Sequence, residues 1–263
     1  MKRLLLIVIA LAFSSPLVKA QTYQETEGLA KIFREHGVSG TFVLLDADNN
    51  TFLVSDLARA KKRFTPASTF KIANSLIGLD TGAVKNVDEV LPYGGKPQWI
   101  KEWEHDMGLR DAIKVSNVPV YQELARRIGL ERMREGVRRL GYGNMEIGNV
   151  VDHFWLDGPL AISAVEQTGF LQRLVKGSLP INPSAMQAVR EITLLEKTDT
   201  YELHAKTGWV FSSTPPQIGW WVGWIERGKK FYPFALNIDM MKGEDAAKRI
   251  PLGRDCLKAL GKL

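Results

Sequence analysis

The sequence holds a single cysteine, so no disulfide can form within the chain. That residue, Cys256, falls in the apolar pattern of a C-terminal helix and reads as a buried small hydrophobe. Histidines are also scarce: His36, His105, His153 and His204 make no H-E-x-x-H string, and no second cysteine exists to complete a ligand cluster. No metal site is therefore expected, and Glu104-His105-Asp106 reads as a polar loop. The G-x-S-x-G elbow of the α/β-hydrolases is missing, as are Walker and dinucleotide fingerprints. No stripe of lysine and arginine interleaved with aromatics is present, which argues against a nucleic-acid partner. Arg126, Arg127, Arg132, Arg134, Arg138 and Arg139 read instead as solvated helix faces. Nor does any apolar run approach the roughly 20 residues of a membrane-spanning helix.

The composition is that of an ordinary globular chain, 45% hydrophobic and 24% charged over 263 residues. Its first twenty residues stand apart. Lys2 and Arg3 precede an uncharged run from Leu4 to Phe13, then Ser14-Ser15-Pro16 and the small-residue exit Val18-Lys19-Ala20. These are the parts of a secretory leader, with Gln21 as the expected mature start; an uncleaved N-terminal anchor is the competing reading. Without Lys2, Arg3 and Lys19 the formal charge falls from +6 to +3.

Periodicity from residue 21 onward predicts a helix over 25–36 closed by Gly37, then a hairpin with strands at 40–46 and 51–55. A helix follows from Ser68 to Leu79, and residues 106–177 read as mainly helical, with breaks at Pro119, Gly129 and Gly141. Another helix is expected over 183–196, strands over 201–207, 218–226 and 231–240, and a last helix over 246–260. Trp220, Trp221 and Trp224 within a strand read as packing residues. The expected fold is α/β of the α+β type: one antiparallel sheet built from both chain ends, with a helical lobe inserted and a cleft between them.

Three short strings carry chemistry. Ser68-Thr69-Phe70-Lys71 opens a predicted helix, where free backbone N–H groups favour a developing oxyanion. Lys71, one turn on, can reach the Ser68 hydroxyl, and acts as a base only if burial or a neighbouring charge lowers its pKa. Alone, the string equally describes a capping serine followed by a surface lysine. Lys206-Thr207-Gly208 ends a strand and suits a substrate carboxylate: a cation, a hydroxyl and a residue that lets backbone approach closely. The next N–H, that of Trp209, would be the second oxyanion donor beside that of Ser68. Taken by itself, K-T-G is a common turn. Ser116-Asn117-Val118 places a hydroxyl that can relay a proton to a leaving nitrogen, or simply marks a helix end before Pro119. The combination, in this order and in these contexts, belongs to serine enzymes of the penicillin-recognising type.

Pro66-Ala67-Ser68-Thr69-Phe70-Lys71, Ser116-x-Val118, Tyr142-Gly143-Asn144, Trp155-x-x-Gly158 and Lys206-Thr207-Gly208 together resemble the motifs of the class D β-lactamases, or oxacillinases. The resemblance spans essentially all of residues 21–263, which it implies form one transpeptidase-like catalytic domain after a leader at 1–20. It implies that Ser68 is acylated by a β-lactam and that Lys71 takes up carbon dioxide as an N6-carboxylate, with no dissociable cofactor. The modified Lys71 would sit among Phe70, Val118 and Leu156, held by the Trp155 indole N–H. Arg249 stands where the family keeps an arginine for the substrate carboxylate, though Arg254 is close by. The expected partners are small β-lactams, with no nucleic acid and no stable membrane anchor, in a Gram-negative periplasm. A covalent β-lactam sensor and a D,D-peptidase share the serine and lysine. The sensor needs a membrane-spanning segment, and Trp155 with Tyr142-Gly143-Asn144 points away from the peptidase. Substrate spectrum, inhibitor sensitivity and the choice between monomer and homodimer stay open.

Overall fold

The computed structural model describes residues 21–47 and 49–263; the expected leader lies outside the described residues. The chain enters as β1 (Thr22–Glu25) and α1 (Glu27–Glu35), then forms the hairpin β2 (Gly40–Asp46) and β3 (Thr51–Val54). Next come α2 (Leu57–Lys61), a single 3-10 turn over Ala67–Phe70 and α3 (Lys71–Asp80). The lobe contains α4 (Leu109–Lys114), α5 (Val118–Ile128), α6 (Leu130–Leu140), α7 (Ala164–Val175) and α8 (Pro183–Ile192). The chain returns through β4 (Leu194–Lys197), β5 (Glu202–Val210), β6 (Gln217–Arg227) and β7 (Lys230–Met240), and closes with α9 (Arg249–Ala259).

The strands form one seven-stranded sheet in the order β1-β3-β2-β7-β6-β5-β4, so both chain ends build it and the helical lobe is inserted. Each face is covered. Along β6 the side chains alternate: Trp220, Val222 and Trp224 face the lobe core, whereas Trp221 and Ile225 face a second core with Leu29 and Phe33 of α1 and Leu252, Cys256 and Leu257 of α9. Two buried faces explain why β6 reads as an unbroken apolar run rather than an alternating one. The three tryptophans are packing residues, as expected, each fully buried. Cys256 is buried too, and burial pushes its thiol up to about 12, leaving it inert at neutral pH.

Local chemistry sets the lobe boundaries. The Asn117 side chain accepts from Val120 N–H and caps α5, while Pro119 occupies its first turn. Ser163 and Glu166 form a reciprocal capping box at α7. Gly141, at φ +54°, ends α6.

The structure corrects several expectations. Residues 194–197 are strand, not the end of the preceding helix. No glycine or proline breaks the pattern after Ile192, and pairing of β4 with β5 decides the conformation. The sheet is mixed rather than wholly antiparallel, because β1 lies parallel to β3. Both β1 and α2 are too short for periodicity to reveal. Ser68 does not open an α-helix: it lies inside the 3-10 turn, and α3 begins at Lys71.

Candidate active site

Ser68 and Lys71 meet because the 3-10 turn rotates the lysine inward. Lys71 is 0% exposed, and its Nζ donates to Ser68 Oγ at 3.0 Å. The turn is tight: Ala67 has φ +49°, and Thr69 both accepts the curvature and fixes it, its N–H and hydroxyl donating to the Pro66 carbonyl. A non-glycine residue in that region costs roughly 1–3 kcal/mol, and here it places the nucleophile. Phe70 anchors the turn between Tyr142, Phe154 and Trp155, whose rings lie 5.1–5.6 Å from its own.

Around the amine the surroundings are apolar. The Tyr121 ring lies 5.1 Å from Nζ. Among the described residues, no carboxylate lies within ion-pairing distance of Lys71. Burial, then the nearby Lys206 charge, holds the Lys71 amine well below the usual lysine range. Unprotonated, it is a base beside a hydroxyl. Trp155 Nε1 is fully buried with no partner among the described residues, an unsatisfied donor in the wall that Phe70 stacks against.

A buried amine without a counter-charge costs stability. The unfolded chain binds a proton at Lys71 that the folded chain excludes, so folding opposes that proton wherever pH lies between the two pKa values. Lys71→Met should therefore raise Tm by roughly 3 °C or more. The gain should shrink as pH rises from 7 toward the ordinary lysine pKa. Calorimetry at pH 7 and pH 10 checks the sign; a lower Tm at pH 7 would contradict it.

The opposite wall is β5. Lys206 is buried, its Nζ donating to the Thr207 carbonyl and hydroxyl at 3.1 and 3.3 Å. Burial and the Arg249 charge lower it to about 7. Arg249 Nη1 donates to the Gly208 carbonyl at 2.6 Å, and burial lowers the guanidinium to about 10. This side chain can lie against β6 because position 219 is glycine: a Cβ there would stand 2.8 Å from Arg249 Cδ. Gly208 likewise lets β5 approach the nucleophile turn, since a Cβ would meet the Pro66 carbonyl oxygen and Thr69 Cγ2 at 3.0 Å each. Arg254 is engaged elsewhere, with Glu196 at 2.7 Å, so Arg249 is the arginine at the site.

Between these walls lies a cleft of about 470 Å³, lined by Ser68, Ser116, Val118, Leu156, Thr207, Gly208, Trp209 and Arg249 among others. Ser116 joins α4 to α5 in the left-handed region, φ +58°, a conformation that turns the helix junction toward the cleft. Ser68, Ser116, Val118, Leu156, residues 207–209 and Arg249, far apart in sequence, converge on it, whereas Phe70, Lys71, Trp155 and Lys206 are buried and are not among its lining residues.

Residues 40–258 match the penicillin binding protein transpeptidase domain family. The chain is 41% identical to beta-lactamase OXA-5 of Pseudomonas aeruginosa over 234 residues, 88% of each protein. It is 39% identical to beta-lactamase OXA-48 of Klebsiella pneumoniae over 251 residues, 95% of this chain and 94% of the other. The crystal structure of FUS-1 (OXA-85), a class D β-lactamase from Fusobacterium nucleatum subsp. polymorphum, superposes with TM-score 0.88 at 45% identity, covering 91% of this chain and all of that one. The chain belongs to the class D β-lactamases.

In this class D site several residues were not foreseen. Trp99, Ile100, Trp103, Val115 and Asp157 also line the cleft. The connection from Phe211 to Gln217, by contrast, follows Lys206-Thr207-Gly208 closely enough in sequence to be expected at the border of the site, and Phe211, 70% exposed, does line the cleft. Trp99 is 71% exposed, set edge-on to both Trp103 and Trp209. The only hint in the sequence was two tryptophans four apart in a loop after Gly94-Gly95-Lys96-Pro97. Trp103 is tied to the Ser116 junction, its Nε1 donating to the Val115 carbonyl. Glu202, His204 and Glu226 offer ligand atoms within 4.8 Å of one another, although Lys197 and Arg190 already pair with the two carboxylates.

Proposed function

We propose that this class D enzyme hydrolyses the β-lactam amide bond through an acyl-enzyme on Ser68, and so confers β-lactam resistance. The observation that carries this reading is the 3.0 Å contact between Ser68 Oγ and a fully buried Lys71 amine, opposite a cationic wall. Lys206 and Arg249, with the Thr207 hydroxyl, suit the carboxylate that penicillins and cephalosporins carry, and hold the ring carbonyl over Ser68. The hydroxyl proton passes from Ser68 to Lys71 as Oγ attacks. Backbone N–H groups of Ser68 and Trp209 stabilise the oxyanion, and Ser116 relays the proton taken up by Lys71 to the departing nitrogen, so that the amine is free again when the acyl-enzyme has formed.

We infer further that Lys71 takes up carbon dioxide as an N6-carboxylate. Burial holds the amine well below the usual lysine range, which favours the unprotonated form that carboxylation requires; the buried, partnerless Trp155 Nε1, stacked behind Phe70, would supply a donor, with Val118 and Leu156 as apolar neighbours on the cleft side. When present, the N6-carboxylate would supply a base better suited than the amine for activating hydrolytic water, because its oxygens stay unprotonated at neutral pH. Activity lost in carbon-dioxide-depleted acidic buffer should return on adding bicarbonate. Recovery that is equal on neutralisation without bicarbonate would contradict this role.

The leader-like residues 1–20 support export to a periplasm, and no helix among the described residues is long and apolar enough to cross a membrane. The direct test mixes the purified protein with a chromogenic cephalosporin and follows product past one equivalent. Sustained turnover is expected. A single stoichiometric burst would overturn the hydrolase reading in favour of a sensor or a peptidase.

A further inference from the structure

A buried chain of hydrogen bonds joins the Tyr142 string to the nucleophile turn. Tyr142 Oη donates to Gln167 Oε1 at 3.3 Å, Gln167 Nε2 donates to Thr69 Oγ1 at 2.8 Å, and Thr69 Oγ1 donates to the Pro66 carbonyl at 2.8 Å. Its direction is fixed from one end. The Pro66 carbonyl only accepts, so the Thr69 proton is committed there and the Thr69 lone pair must take an N–H. That sets the Gln167 amide so that its oxygen faces Tyr142. Burial keeps the Tyr142 hydroxyl protonated far above neutral pH, so it remains a donor. Tyr142, Gln167 and Thr69 are each at most 1% exposed, and bulk water has no access to replace a missing partner.

The chain ends where the backbone is most constrained. The Pro66 carbonyl leads into Ala67 at φ +49°, and the following residue is Ser68. Gln167 lies on α7, in the lobe, so the chain ties the turn to a helix that is itself fixed by the Ser163–Glu166 capping box.

We propose that Gln167 is a positioning residue for the nucleophile: through Thr69 it fixes the Pro66 carbonyl and the strained Ala67 turn, keeping Ser68 Oγ in line with Lys71 Nζ while the acyl bond forms. Tyr142 anchors the amide. This rests on the reading that Ser68 is acylated. Gln167 itself touches neither substrate nor the reacting atoms. A residue that only filled its space would lower stability without altering the chemical step; one that aims Ser68 must change acylation itself.

The test is stopped-flow acylation of the full chain by a chromogenic cephalosporin, separating the acylation rate constant from the substrate dissociation constant. Gln167→Leu and Thr69→Val should each slow acylation by about ten-fold or more, with dissociation constants within about two-fold of the parent. Thr69→Ser, which keeps the hydroxyl, should restore the rate. The double variant should be no slower than the slower single one, because both break the same chain. Acylation within about two-fold of the parent in both single variants, with only Tm lowered, would overturn the proposal. So would additive losses in the double variant. Should Gln167→Leu fail to fold, the comparison of Thr69→Val with Thr69→Ser decides alone. A parent protein that forms no adduct on Ser68 would instead remove the hydrolase reading, a result distinct from any loss confined to the variants.

Discussion

Lys71→Ala is expected to lower kcat/KM for a chromogenic cephalosporin by roughly 10³-fold, within the range that loss of a positioned general base costs. The residual reaction should stop at no more than one equivalent of product, because acyl-enzyme that does form has lost the base for its hydrolysis. Intact-mass spectrometry should then find the adduct persisting on Ser68. The physical reason is that the amine at 3.0 Å has no substitute: among the described residues no carboxylate lies within ion-pairing reach of Lys71, and the other nearby lysine, Lys206, belongs to the opposite wall. Full deacylation in Lys71→Ala would overturn the role of Lys71, as amine or N-carboxylate, in hydrolysing the acyl-enzyme. The same substitution should not unfold the protein, since the Lys71→Met comparison predicts that the native amine is held at a cost.

Ser68→Ala should abolish turnover, by roughly 10⁶-fold if the loss matches that of other serine hydrolases deprived of their nucleophile. Binding should survive. Lys206, Thr207 and Arg249 are held by β5, β6 and the start of α9 rather than by the serine, so their grip on a carboxylate is independent of it. Calorimetric titration with a slowly hydrolysed penicillin should therefore give a dissociation constant close to the parent's acylation-free value, with no covalent mass gain. A covalent adduct in Ser68→Ala would show that another residue is acylated.

Much of this was legible in the sequence because short spacings are fixed by local geometry. Lys71 is three residues after Ser68, a separation that brings two side chains together in either an α or a 3-10 turn, so the pair was found although the element around it was not. Lys206-Thr207-Gly208 lay on a strand long enough to show its period. What stayed hidden depends on contacts between distant segments. Nothing local distinguishes Leu194–Lys197 as a strand, or tells that Trp99 leans on Trp209 across the cleft. Gln167 sits inside a helix with no motif around it, and its importance emerges only when its amide is seen 2.8 Å from the Thr69 hydroxyl. The chemistry requires a depressed Lys71 pKa; the enclosure that produces it, with Tyr121 and Lys206 contributed by two other segments, is a property of the fold.

Every step attributed to the site needs a lysine nitrogen that is uncharged while sealed in the lobe. Selective ¹⁵N labelling of lysine, with the Lys71 resonance assigned by its disappearance in Lys71→Met, reads that nitrogen directly. At pH 8 it should show the shift of a neutral amine in carbon-dioxide-free buffer, and move to that of an N-carboxylate when labelled bicarbonate is added. An ammonium resonance at pH 8 that titrates only in the ordinary lysine range would contradict the account.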